Sequence, residues 1–70
     1  SMTATYIIEM LIADGTGSKT YDSALIPPGK TLRAYPIPSH SSNAGVQVSV
    51  SGLTVTYTNV DNSPIYVYAE

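Results

Sequence analysis

A chain of 70 residues holds one small domain at most, since autonomous domains usually run to about 100–200 residues. Charged residues make up 11% against 43% hydrophobic, so the surface is polar but mostly uncharged, and Ser and Thr supply that polarity, as suits strands better than Lys/Glu-covered helices. A net charge of −2 with three basic residues gives almost no drive toward a phosphate backbone, and the absence of cysteine excludes a disulfide framework, thiolate catalysis and zinc–thiolate sites.

The order Ser1-Met2 reads as a scar of tag removal before a native start at Met2. The stretch from Met2 to Ile12 has no basic leader and carries Glu9 inside its apolar run, which makes it a poor secretory signal. No segment approaches the roughly 18 apolar residues of a membrane-spanning helix. A soluble protein is expected, in a virion or the host cytoplasm if it is phage-encoded.

Gly, Pro, Asn and Asp clusters cut residues 1–70 into short β-rich runs, the pattern of a single all-β domain. Six strands are predicted. The first runs from about Thr5 to Ala13 and ends at Asp14-Gly15-Thr16-Gly17, read as a turn with positive φ. Its two faces are both apolar: Tyr6, Ile8, Met10 and Ile12 on one, Ile7, Leu11 and Ala13 on the other. So small a domain covers both with difficulty, so one face is assigned to a contact between subunits. The second strand runs from about Lys19 to Ile26 and stops at Pro27-Pro28-Gly29, where Pro28-Gly29 fits the centre of a type II turn. Lys30 to Ile37 is the third, its end placed at an edge by Pro36 and Pro38.

After a loop over Ser39–Gly45, Val46 to Thr58 reads as a hairpin. With Ser51-Gly52 as its turn, Val50, Val48 and Val46 oppose Leu53, Val55 and Tyr57, leaving Gln47, Ser49, Thr54 and Thr56 on the other face. For the last strand, Ile65 to Ala69, loop parity decides the facing. A five-residue loop from Val60 to Pro64 puts Ile65 and Val67 in the core with Tyr66 and Tyr68 outside; a four-residue loop reverses this. The first is favoured because it lets the phenolic hydroxyls reach solvent or a partner. The expected fold is a small antiparallel β-sandwich or half-open barrel.

Chemical motifs fail one by one. Gly15-Thr16-Gly17-Ser18-Lys19-Thr20 has the look of a phosphate loop but lacks glycine at Ala13 and Ser18, and no convincing helix follows. Asp14-Gly15 lacks the hydroxyl residue that follows the acid in aspartic proteases. Asp14 and Asp22 are too few for a calcium loop, and Asp61-Asn62-Ser63-Pro64 reads as a common turn. His40 among Ser39, Ser41 and Ser42 has no visible orienting acid or oxyanion site, so it reads as a solvated loop residue. No catalytic, cofactor or metal site is assigned.

What remains is a non-enzymatic module that assembles with copies of itself, through Ile7, Leu11, Tyr66 and Tyr68, because a chain this small buries a modest share of its surface alone. By compositional analogy it suits a phage virion accessory, a decoration or tail protein within a larger protein assembly. A second reading is a viral counter-defence protein that captures an anionic ligand through Lys19, Lys30, Arg33 and His40, or blocks a host enzyme; basic residues that guard a strand edge are the plainer account of those cations. A third is a glycan-binding β-domain that uses Tyr66 and Tyr68.

Overall fold

The computed structural model describes residues 4–37 and 45–70, with the backbone alone at Ser63. The domain is all-β, as its composition predicts, and its antiparallel sheet curls into a nearly closed barrel. The described strands are β1 (Tyr6–Thr20), β2 (Leu32–Pro36), β3 (Gln47–Ser51) and β4 (Thr54–Ala69), with a 3₁₀ turn at Ser23–Leu25. β4 is the spine. Its C-terminal half lies between β1 and β2, and its N-terminal half between β1 and β3.

The runs read as six strands are thus carried on four, because two presumed turns are bends inside long strands. Asp14-Gly15 does not reverse the chain: β1 continues through it, and Asp14 and Gly15 stay paired with Asp61 and Val60 of β4. The left-handed backbone expected there is real, with Gly15 at φ 79° and Asn59 and Asn62 of β4 at 56° and 51°. Unequal residue counts between paired positions, Ile12/Asp14 and Gly15/Gly17 on β1, make bulges that fold the two-stranded ribbon over. Thr16 fixes the bend, its Oγ1 accepting from the Asn59 N–H at 3.1 Å. Beyond β1 the predicted second strand gives way to the 3₁₀ turn, capped by the Asp22 carboxylate accepting from the Ala24 N–H. The turn at Pro28-Gly29 is as expected, with Gly29 at φ 80° and the Lys30 N–H closing onto the Pro27 carbonyl.

The hairpin of β3 and β4 keeps the predicted separation of faces with a different turn. Ser51 pairs with Thr54, Val50 with Val55 and Val48 with Tyr57, so Gly52-Leu53 forms the loop. Gly52 has φ 59°, and a type II′ turn demands a positive φ at its first central residue. A displacement by two positions preserves parity, so Val48, Val50, Val55 and Tyr57 still share the core side.

The fold of the ribbon brings this side against Ile65, Val67, Leu32 and Ala34 from the other half of the sheet, with Ala13, Tyr21 and Val60 completing the cluster. A further bulge, at Ile8 between Ile7 and Glu9, shifts the parity of β1. The face assignment for this strand is therefore corrected. Ile8 points inward before the bulge and Leu11 and Ala13 after it, while Ile7, Met10 and Ile12 are exposed. Leu11, assigned from sequence to a subunit contact, sits opposite Ile65 and packs on the core. Replacing Leu11 by Ser should lower the stability of the dilute protein by about 1–3 kcal/mol, whereas Ile7→Ser should stay within about 0.5 kcal/mol of the parent. Urea unfolding of the two variants checks the bulge directly: equal losses would place both side chains on one face.

Candidate interaction face

The outer side of the three-stranded half is built in rows. Across β1, β4 and β2, Ile7, Tyr68 and Arg33 form one row, and Met10, Tyr66 and Tyr35 the next. A third begins with Ile12 opposite Pro64, whose carbonyl accepts from the Ile37 N–H. Strand alternation produces this: Ile65, Val67 and Ala69 are fully buried, so Pro64, Tyr66 and Tyr68 face out. The expectation that Tyr66 and Tyr68 lie outside holds, although no hairpin loop precedes them, since Ile65 pairs with Leu11 and Pro36 rather than Asn59.

Tyr66 and Tyr68 stack with centroids 4.8 Å apart and an interplanar angle of 20°. Tyr35 stands edge-on to both, at 5.3 Å from Tyr66 and 5.9 Å from Tyr68. Such contacts rigidify the rings at little entropic cost. Ile7 (62%), Ile12 (58%), Met10 (47%) and Tyr35 (46%) are markedly exposed for large hydrophobic side chains. Of the residues assigned to an interface, Ile7, Tyr66 and Tyr68 are brought together here and Leu11 is not. Met10, Ile12 and Tyr35 were missed. The alternation of Leu32, Arg33, Ala34 and Tyr35 in the predicted third strand was the available signal for Tyr35; the sequence reading did not pair that strand with the last.

The cations are dispersed. Lys19 reaches Glu9, its Nζ 2.9 Å and 3.1 Å from the two carboxylate oxygens, and lies 5.0 Å above the Tyr21 ring. Lys30 donates to the Ala4 carbonyl at 2.7 Å. Arg33 is exposed on β2, across β4 from the strand that carries Lys19, and makes no salt bridge among the described residues. His40 lies outside the described residues. Among those described, no three acidic or imidazole side chains converge as a metal site would require.

Glu9, Lys19 and Tyr21 form a clasp between the two ends of β1. The Tyr21 hydroxyl donates to Glu9 at 3.1 Å while its ring is buried in the core. Burial, and then the neighbouring Glu9 charge and hydrogen bond, raise the Tyr21 phenol well above its ordinary pKa. The folded protein therefore holds that proton more tightly than the unfolded chain. This contribution is fully present below about pH 10, the unfolded value, and is lost as pH rises past it. The melting temperature should fall above pH 10, and Tyr21→Phe should flatten that fall; an unchanged slope in the variant would remove Tyr21 from the account.

A second concavity, about 300 Å³, opens where β2 and β3 approach without closing the barrel, between residues 31–34 and Val48, Ser49, Val50 and Gly52. Comparisons with protein-family models, curated proteins and solved structures returned no match.

Proposed function

We propose that the protein is a non-enzymatic assembly module that associates with copies of itself through the outer face of β1, β4 and β2. The observation that carries this reading is the contiguous exposure of Ile7, Met10, Ile12 and Tyr35 around the stacked pair Tyr66 and Tyr68. Scattered exposed apolar residues are ordinary, but a continuous patch on a flat sheet marks a contact surface. Tyrosine suits such a surface, since its ring packs while the hydroxyl keeps a hydrogen bond. Charge favours a second copy as the occupant. Two identical faces bearing strong charge repel each other, and these rows carry a single ionic side chain, Arg33, at the margin. The reading as a virion accessory extends this to a larger assembly and rests on size and composition.

Light scattering during size-exclusion chromatography at high micromolar concentration should show a dimer or larger species. Met10→Glu with Ile12→Glu should leave a monomer with an unchanged circular dichroism spectrum, because both side chains point away from the core. A parent protein that is monomeric at that concentration rejects the proposal. Stabilisation by simple sugars, lost in Tyr66→Ala, would redirect the face to glycan binding.

A further inference from the structure

The cleft between β2 and β3 is more than a gap in packing, because the backbone of both strands is turned toward it. On β2, Thr31 and Glu70 exchange both backbone hydrogen bonds, and the Ile37 N–H donates to Pro64. In an antiparallel ladder such pairs alternate, so Thr31, Arg33, Tyr35 and Ile37 bond to β4 while Leu32 and Ala34 direct N–H and C=O the other way. On β3 the pair that closes the two-residue turn, Ser51 with Thr54, sets the same alternation. Ser49 and Gln47 then bond to β4, and Val48 and Val50 face outward. Leu32, Ala34, Val48 and Val50 all line the cleft, and no ladder joins β2 to β3 among the described residues.

An edge of this kind is a template for another strand. Apolar Val48 and Val50 form the opposite wall. Arg33, between Leu32 and Ala34, is exposed and without a carboxylate partner among the described residues. A strand paired antiparallel to β2 places one of its side chains directly across from Arg33 on the same face of the sheet.

We propose that this cleft binds an extended peptide segment that adds to the β2 edge through Leu32 and Ala34 and carries an acidic residue opposite Arg33. Main-chain pairing supplies affinity of low sequence selectivity, and the arginine supplies the selectivity. The volume, about 300 Å³, is at the small end of binding sites and fits a short stretch of chain. The partner is thus a strand-forming, acidic segment of another protein. This inference does not depend on self-association through the tyrosine face.

The test uses a capped octapeptide of alternating Val and Thr with one central Glu, and a matched peptide with Lys in its place, titrated into isotopically labelled protein. Binding of the Glu peptide should shift the amide resonances of Leu32, Ala34, Val48 and Val50 and slow hydrogen exchange at Leu32 and Ala34. Arg33→Glu should weaken the Glu peptide at least tenfold and strengthen the Lys peptide. Ala34→Pro should abolish binding while the fold survives, since the N–H it removes does not serve the β4 ladder. The proposal is overturned if shifts appear only around Tyr35, Tyr66 and Tyr68, if Arg33→Glu leaves the preference unchanged, or if Leu32 and Ala34 become protected with rising protein concentration and no peptide, which would make a second copy the occupant.

Discussion

Ile65→Ala is expected to remove about 2–5 kcal/mol of stability, the usual cost of truncating a fully buried isoleucine. The Ile65 side chain has no exposed surface, and its strand is flanked on both sides, by Leu11 of β1 and Pro36 of β2. Only eight hydrophobic residues are buried among those described, and Val55, Ile65 and Val67 are the largest with none of their surface exposed. A domain of this length has about 4–10 kcal/mol in total at ordinary per-residue values, so one such change consumes a large fraction of it. Urea unfolding should show Ile65→Ala partly or wholly unfolded at room temperature, Ile65→Val losing about 0.5–1.5 kcal/mol, and exposed Thr56→Ala staying within about 0.5 kcal/mol. Comparable losses at Ile65 and Thr56 would mean that the last strand turns Tyr66 and Tyr68 inward instead.

That inward–outward choice was legible in the sequence, though for an incomplete reason. Alternation of Ile65, Tyr66, Val67 and Tyr68 allows two facings, and the phenolic hydroxyls favour the one observed. The hairpin faces were legible too, because alternation survives any shift by two residues. Its turn was misplaced because a glycine at the first central position does the work, and the sequence reading gave Gly52 the second. The bends at Gly15 and Asn59 are a different failure. Glycine and asparagine announced a positive φ at or near both places, but a positive φ serves a hairpin turn and a bulge equally well. Only the partner strand tells them apart: Asp14 pairs with Asp61, so neither strand turns back there. The Ile8 bulge carried no local signal, and with it went the assignment of Leu11. The cations failed for a related reason. Lys19 was placed on a strand beside Lys30 and Arg33, and the bend instead carries it to Glu9.

Substitution of Gly15 tests the bend itself, and with it the arrangement that creates both the tyrosine face and the cleft. A side chain added at Gly15 meets no atom within 4 Å, so any penalty comes from its backbone angle, φ 79°, rather than from crowding. An L-residue in this region costs about 1–2 kcal/mol, and a β-branched one more, since its two branches collide with the adjoining carbonyl. Gly15→Ala should therefore cost about 1–2 kcal/mol and Gly15→Val more than that, while Gly15→Asn, a residue that tolerates the left-handed region, should cost least. The mirror-image residue reverses the sign. At 70 residues the chain is within reach of chemical synthesis, and D-alanine at position 15 prefers the conformation that L-alanine resists, so it should stabilise by about 0.4–1 kcal/mol by restricting the unfolded chain. Thermal unfolding of the L- and D-alanine proteins supplies the comparison. Equal melting temperatures would show that β1 crosses position 15 without a left-handed kink; the two halves of the sheet would then lose the bulge that folds Val55 and Ile65 into one core.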